Sequence, residues 1–219
     1  MGTETVTNPA RDEVLRRIRA AKGGCPDRAP KAGWERLARA YRRKGSLGRE
    51  GLLQLLEKRL RDYDAQVIRA VEADVAQSVA GLLAERRVRR MVVPAGVKAE
   101  WLPEGVEFVV DEGLTAGELD RVDGVITGAT IAIAETGTVV LQNVAGQGRR
   151  VATLVPDYHL CVVRAEDVVE TVPEAMGRLQ ATAGLATTFI SGPSATADIE
   201  MTRIKGVHGP RFLDLILVT

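Results

Sequence analysis

The feature that most constrains the fold is a series of short apolar runs in the C-terminal part of the chain. Each run is rich in Val, Ile and Leu, and each is bounded by turn-forming or charged residues. The runs lie at residues 88–93, 108–110, 124–127, 131–134, 138–141, 151–155, 159–163, 187–190 and 212–218. Continuous apolar strands between helices are typical of a largely parallel sheet covered on both faces. The close spacing of the runs between residues 124 and 164 predicts some antiparallel pairing as well.

Helical patterns dominate the N-terminal part and interrupt the apolar runs. Pro9 after Asn8 favours a helix start, and Val67, Val71 and Val75 begin a stripe that repeats every four residues. We expect helices at residues 9–22, 34–41, 64–83, 116–119 and 166–179, and another beginning near residue 194. The sequence therefore predicts a basic helical segment at residues 1–84, followed by an α/β domain at residues 85–219.

Charge is distributed unevenly between these two parts, although the formal net charge is only +1. Residues 1–90 carry 21 Lys and Arg against 12 Asp and Glu, whereas residues 91–219 carry 9 against 17. A basic segment of this kind can dock on an acidic body, bind nucleic acid or simply form a solvated helical face. Because aromatic residues make up only 4% of the chain, the pattern does not favour single-stranded nucleic acid. We expect no nucleic-acid partner.

Several classes of protein are excluded by composition. The two cysteines, Cys25 and Cys161, lie far apart and outside any metal-binding motif, so the chain cannot build an iron–sulfur or zinc site alone. We expect no metal and no cofactor. No apolar run approaches the ~20 residues of a membrane span, and the polar N-terminus lacks a secretory signal. We expect a cytoplasmic protein.

The first candidate site follows two apolar runs. Glycines there would let the backbone approach a ligand, and burial could raise the pKa of Glu135 for catalysis as a base or nucleophile. The ligand-binding candidates are Gly128, Thr130, Thr136, Gly137 and Thr138. Alternatively, these residues form two ordinary turns in which Glu135 is exposed or ion-paired.

The second candidate site is the small-residue turn of Ile190-Ser-Gly-Pro-Ser-Ala-Thr-Ala-Asp-Ile-Glu200. If a helix begins there, its free amides and neighbouring hydroxyls could hold a carboxylate or phosphate. The candidates are Ser191, Gly192, Ser194 and Thr196. Pro193 removes one donor, and ordinary helix capping is an equally good interpretation.

The third candidate site contains the only two histidines, His159 and His208, together with Arg150. The glycine-flanked His208 suits proton transfer and is our second catalytic candidate. A triad of Ser194, His208 and Asp198 would lack the Gly-x-Ser-x-Gly elbow. Because ligands bind at the carboxyl ends of strands in open α/β sheets, we expect all three candidate sites to converge at one rim.

Four ordered segments resemble a known family. They are Glu135-Thr-Gly-Thr138, Leu154-Val-Pro-Asp-Tyr-His-Leu-Cys-Val-Val163, Ser191-Gly-Pro-Ser-Ala-Thr-Ala-Asp-Ile-Glu200 and Gly206-Val-His-Gly-Pro210. Over about residues 85–219 the chain is similar to the lactate utilization protein C family, also called the LUD domain family. The resemblance implies a Rossmann-like three-layer fold with a mixed, largely parallel sheet, similar to the sugar-isomerase and coenzyme A-transferase superfamily.

The same resemblance implies a non-redox role in the oxidation of L-lactate to pyruvate. Iron–sulfur clusters would belong to partner subunits, and this chain would bind a small carboxylate or phosphate. It assigns no catalytic residue. Two other functions stay open. The chain could be an acyl or coenzyme A transferase or an isomerase that uses Glu135, for which fold analogy is the main support. It could also be a scaffold without catalysis, whose basic helices recruit partners.

Overall fold

The computed structural model describes residues 9–22, 28–196, 204–206 and 208–219, with the backbone alone at 28–31, 196, 204 and 205. The chain divides into two compact units, residues 1–41 and 42–219. The helices are α1 (Pro9–Ala21), α2 (Arg28–Glu35), α3 (Arg49–Arg61), α4 (Val75–Arg86), α5 (Ala116–Leu119) and α6 (Val172–Leu179). The strands are β1 (Gln66–Ala70), β2 (Arg90–Val93), β3 (Glu107–Val110), β4 (Gly124–Gly128), β5 (Ile131–Ile133), β6 (Thr138–Gln142), β7 (Tyr158–Arg164), β8 (Val168–Val169), β9 (Thr187–Ile190), β10 (Ala195–Thr196), β11 (Ile204–Lys205) and β12 (Phe212–Val218).

The N-terminal unit contains α1 and α2 in its described part. Helix α1 confirms the prediction at residues 9–22, and none of its residues is buried. The helix predicted at residues 34–41 is wrong, because α2 covers only its first two positions. Near the end of α2, the Arg39 guanidinium donates to the carbonyls of Trp34 and Leu37, at 2.9 and 3.2 Å.

Six parallel strands form the central sheet of the larger unit, in the order β1-β12-β7-β4-β2-β3. The predicted α/β class with a largely parallel sheet is confirmed. Strands β7 and β12 pair along their whole length, from Tyr158 opposite Phe212 to Arg164 opposite Val218. Residues 213–218 are all buried, which explains why this strand has no polar alternation.

The two faces of the central sheet contact different partners. Leu160 and Val162 of β7 pack in the cluster that contains α4, whereas Cys161 and Val163 pack with α3 and the second sheet. Since side chains alternate along a strand, His159 shares a face with Cys161. The histidine therefore lies between the two sheets.

The second sheet has the order β8-β5-β6-β9, and α6 packs on its outer face. Strands β5, β6 and β9 pair antiparallel, which confirms the antiparallel prediction for this region. None of the helices in the described ranges combines the length with the apolar character that a membrane crossing requires.

The helix predicted at residues 64–83 forms only in its second part, as α4 from Val75 onward, and residues 66–70 form β1 instead. Val67 belongs to β1, Val71 is exposed, and Val75 and Val79 are buried on α4, so the four-residue stripe spans two elements. A strand can supply one member of such a stripe because β-branched residues favour strands. Helix α3, strand β1 and most of α4 lie within residues 1–84 but pack in the α/β body, and α3 was not foreseen.

Three further predictions need correction. Residues 150–153 form a single 3₁₀ turn instead of a strand. Helix α6 begins at Val172, after β8, and Thr171 with Glu174 forms the capping box that starts it. No helix begins near Ser194 in the described residues; β10 pairs antiparallel with β11 instead. Residues 197–203, which follow that predicted start, lie outside the described ranges.

Candidate functional site

A cavity of about 260 Å³ lies beside the starts of β7 and β12 and the end of β9, and we call it the His159 cavity. It brings together six residues predicted from the sequence. They are Arg150, His159, Ser191, Gly192, Ser194 and His208. Eight further lining residues had not been predicted from the sequence, and they are Thr153, Phe189, Ile190, Pro193, Ala195, Gly209, Pro210 and Leu213. The second and third candidate sites therefore meet in one cavity, while the side chain of Thr196 lies outside the described residues.

The position of the His159 cavity differs from the expected rim. His159 and Leu213 are the second residues of β7 and β12, so the cavity lies near the amino ends of these strands. The expectation of a site at the carboxyl ends is wrong for this cavity. The small-residue turn after β9 is bonded to the residues just before β12, since the Ser194 amide donates to the Pro210 carbonyl at 2.8 Å.

His159 is the most deeply buried ionisable group of the cavity, with 1% of its surface exposed. Its Nε2 lies 2.8 Å from the hydroxyl oxygen of Thr127 on β4. Burial, and then the positive charge of Arg150, lower the pKa of His159 from 6.5 to about 3. The imidazole is therefore neutral near pH 7, where it can form hydrogen bonds but holds no proton to give as an acid.

Thr127 and Cys161 lie beneath the histidine. The Thr127 hydroxyl is 3.8 Å from the Cys161 sulfur, which in turn donates to the Gly128 carbonyl at 3.7 Å. Burial raises the pKa of the Cys161 thiol to about 12. Because the thiolate is the reactive form of cysteine, Cys161 supports the structure here and is not a nucleophile.

Arg150 provides the positive charge of the cavity. Its guanidinium donates to the carbonyl and hydroxyl oxygens of Thr153, both at 3.1 Å. The adjacent Arg149 forms a two-pronged ion pair with Asp111, at 2.9 and 2.5 Å, but no carboxylate of the described residues pairs with Arg150. Partial burial lowers the pKa of Arg150, yet an arginine stays charged. The cavity thus contains a cation that the described protein groups leave uncompensated.

The turn after β9 contributes hydroxyl groups rather than free amides. Gly192 has a φ of 81°, and a Cβ there would lie 2.6 Å from Cβ of Tyr63, so the position requires glycine. The Ser194 hydroxyl oxygen accepts a hydrogen bond from the backbone amide of His208 at 3.1 Å, and the side chain of His208 is exposed. The expected cradle of free helix amides is therefore not formed at Ser194, since its own amide is already bonded.

A chain of hydroxyls links part of the first candidate site to the cavity. The Thr136 and Thr138 hydroxyls are 2.7 Å apart, and Thr138 is 2.7 Å from the Ser191 hydroxyl. Gly137, with a φ of 59°, makes the turn between them against the backbone of Arg59. Of these three hydroxyl groups, only that of Ser191 lines the cavity. Thr136 and Thr138 therefore orient Ser191 from outside the cavity.

Glu135 lies apart from the cavity. Its side chain is 46% exposed and forms a 2.8 Å ion pair with Arg42. The Arg42 guanidinium also donates to Glu170 at 2.6 Å. Glu135 lines neither the His159 cavity nor three other cavities of the described structure, so it lies apart from the site where the second and third candidate sites meet.

Gly128 and Thr130 also lie outside the His159 cavity. The amide of Gly128 donates to the Gly146 carbonyl at 2.8 Å, and the Thr130 hydroxyl donates to Gln147 at 2.9 Å. Both residues therefore fix the loop that follows β6. In the part of the chain that the structure describes, no three His, Cys, Asp or Glu side chains are grouped as a metal site.

Comparison with known proteins relates the larger unit to one family. The sequence model of the LUD domain matches residues 53–218. A Deinococcus radiodurans protein named lactate utilization protein C is 40% identical over 222 residues, a match that covers 100% of both chains. A protein of the same name from Shouchella clausii is 39% identical over 90 residues, which cover 39% of each chain.

One solved structure shares both sequence and fold with this chain. It is the crystal structure of a DUF162 family protein from Deinococcus radiodurans at 1.70 Å resolution. The two chains are 40% identical and superpose with a TM-score of 0.70, over 80% of this chain and 100% of the other. The family match at residues 53–218 spans the strands of both the central and the second sheet.

Proposed function

This chain belongs to the LUD domain family, and on that premise we propose that it is a non-redox component of a system that oxidises L-lactate to pyruvate. The relatives named lactate utilization protein C support the proposal. The sequence has only Cys25 and Cys161, and an iron–sulfur cluster commonly needs four cysteine ligands. In this proposal, iron–sulfur partner subunits carry the electrons, and the complex works in the cytoplasm.

The contribution of this chain, in the same proposal, is to bind a small carboxylate or phosphate in the His159 cavity. The observation that carries it is the Arg150 guanidinium, which lines the cavity and which no described carboxylate neutralises. Arginine matches carboxylate and phosphate oxygens with two parallel hydrogen bonds. The neutral His159 and the Ser191 hydroxyl can then hydrogen-bond a neighbouring hydroxyl or keto oxygen of the same ligand.

Ligand-induced stabilisation tests this proposal directly. Thermal unfolding of the purified chain is followed with increasing L-lactate, pyruvate or inorganic phosphate. A ligand at about 100 times its Kd should stabilise the fold by about 2.7 kcal/mol, and Arg150→Gln should remove the effect. Arg164→Gln is the matched control, because Arg164 lies at the opposite end of β7. Equal stabilisation of the wild type and Arg150→Gln, or none of the wild type, would contradict the proposal.

The proposed role in lactate oxidation has its own test. Deletion of the gene should abolish growth on L-lactate, and the tagged wild-type chain should copurify with cysteine-rich iron–sulfur subunits. Complementation with Arg150→Gln should restore the complex but not growth. Normal growth of the deletion strain on lactate would contradict the role. The alternative transferase or isomerase gains no support from the site, because Glu135 is ion-paired with Arg42 outside the cavity.

A further inference from the structure

The tautomer of His159 decides which hydrogen-bonding group the His159 cavity presents beside its cation. A neutral imidazole carries a hydrogen on one ring nitrogen and a lone pair on the other, so one nitrogen donates and the other accepts. Nε2 of His159 lies 2.8 Å from the Thr127 hydroxyl oxygen. The atom that donates in this contact therefore fixes whether Nδ1, the other nitrogen, is a donor or an acceptor.

Two contacts beneath the histidine identify that donor. Burial raises the pKa of the Cys161 thiol to about 12, so the thiol keeps its hydrogen. The carbonyl oxygen of Gly128 can only accept, and the thiol donates to it at 3.7 Å. The sulfur can then only accept from the Thr127 hydroxyl, which lies 3.8 Å away. Because the hydroxyl hydrogen is directed at the sulfur, Thr127 accepts from His159, and Nε2 carries the imidazole hydrogen.

Nδ1 consequently carries the lone pair, and this nitrogen opens on the cavity. None of the described residues hydrogen-bonds Nδ1, and the buried side-chain atoms without a partner in the described ranges are Arg90 Nε and Tyr158 Oη alone. Nδ1 therefore keeps contact with open space, and His159 lines the cavity. The charge of Arg150 is close enough to lower the pKa of His159. A lone pair is attracted by that charge, whereas an N–H is repelled, which favours the same tautomer.

We propose that Thr127 is a positioning residue that fixes the tautomer of His159 and thereby makes the His159 cavity select 2-hydroxy acids over 2-keto acids. The ligand carboxylate binds Arg150, and the 2-hydroxyl donates to Nδ1 of His159. A keto oxygen has only lone pairs, so it faces the Nδ1 lone pair without a hydrogen bond. The inference rests on the anion site proposed above and deepens it, because it assigns the substrate class of that site.

The other polar groups of the site do not discriminate in this way. Arg150 meets the same carboxylate in a hydroxy acid and in a keto acid, so it contributes affinity to both. The Ser191 hydroxyl can donate to either oxygen, because a hydroxyl rotates to suit its partner. The selection therefore depends on His159, since sites built to hydrogen-bond a substrate hydroxyl discriminate against analogues that lack it.

Isothermal titration calorimetry with L-lactate and pyruvate tests the selection. The two anions have the same carboxylate and methyl group, and they differ at C2, where a hydroxyl and a hydrogen replace the keto oxygen. The wild type should bind L-lactate at least about fivefold more tightly than pyruvate, as expected for one hydrogen bond at a site with little access to water.

Substitutions of Thr127 locate the effect. Thr127→Val removes the acceptor of the Nε2 hydrogen, so the hydrogen moves to Nδ1, and the ratio of lactate affinity to pyruvate affinity should fall at least about fivefold. Thr127→Ser keeps the hydroxyl and should retain the wild-type ratio. Thr130→Val is the matched control and should also retain the ratio, because it loses a hydroxyl that donates to Gln147 outside the cavity, at 2.9 Å.

Nitrogen-15 NMR of the imidazole rings reads the tautomer itself. The chain has only two histidines, His159 and His208, and His208→Gln assigns their signals. In the wild type and in Thr127→Ser, Nε2 of His159 should be the protonated nitrogen and Nδ1 the unprotonated one. Thr127→Val should reverse the pattern, whereas a Thr127 that only packs against the ring would leave it unchanged.

The outcomes separate this inference from the proposed function. Lactate binding that depends on Arg150, with pyruvate bound equally well or more tightly, would overturn the selection and leave the anion site standing. A hydrogen on Nδ1 of wild-type His159, or an unchanged affinity ratio in Thr127→Val, would also overturn it. A wild-type protein that binds neither anion would overturn both proposals.

Discussion

Lowering the pH from about 8 to about 5 should destabilise the protein through His159. The folded state lowers the pKa of this histidine from 6.5 to about 3, whereas the unfolded state binds the proton at the ordinary value. Below about pH 6.5 the unfolded state therefore binds more protons than the folded state. The free energy of unfolding consequently decreases as the pH decreases. The loss begins near pH 6.5 and is complete near pH 3.

The size of the loss in unfolding free energy depends on how many pH units the solution lies below about pH 6.5. Each pH unit in this window costs about 1.4 kcal/mol, so about pH 5 gives a loss of about 2 kcal/mol. Carboxylates whose pKa the fold lowers, such as Asp111 and Glu170, add to the loss near about pH 5, so the histidine contribution is the difference between the wild type and a variant that lacks the imidazole.

Urea unfolding at several pH values measures this loss. His159→Gln should lose about 2 kcal/mol less than the wild type over the same interval, because it has no imidazole to protonate. His208→Gln is the control, since His208 lies at the exposed edge of the cavity, and it should keep the wild-type slope. Identical slopes for the wild type and His159→Gln would refute the reasoning.

Three further outcomes follow from the structure. Gly192→Ala should destabilise the protein by about 1–3 kcal/mol in urea unfolding, because the new methyl meets Tyr63 at a positive φ; a smaller loss would mean that the turn relaxes. Asp214→Asn should cost about 3 kcal/mol in the same assay, since the fully buried carboxylate accepts two hydrogen bonds from Arg86; an unchanged midpoint would show that the pair contributes nothing. Glu135→Gln should leave lactate-induced thermal stabilisation intact, and loss of that shift would place Glu135 in the site after all.

The central sheet could be predicted from the sequence because burial on both faces removes polar alternation. Runs 159–163 and 212–218 became the paired central strands β7 and β12. The helix start predicted from the valine stripe was wrong. A repeat of four residues is typical of a helix, but one of its members, Val67, lies in a strand. Helix α3, by contrast, buries Leu53 and Leu56 in the core, and their helical spacing was a usable signal.

The candidate site was predictable in its residues but not in its assembly. Arg150, His159 and Ser191 were named from local patterns, and the structure places them in one cavity. Their meeting depends on how the segment after β9 returns to β12, which no local pattern encodes. Thr127 was missed as a partner of His159 because a threonine inside an apolar strand has no signal of its own.

The most direct test of the account is a crystal structure of this protein with L-lactate or inorganic phosphate bound. The account predicts the anion in the His159 cavity, with its oxygens within hydrogen-bond distance of the Arg150 guanidinium and with His159 or Ser191 beside it. An anion bound only elsewhere, with Arg150 instead paired to a carboxylate of the protein, would contradict the central claim.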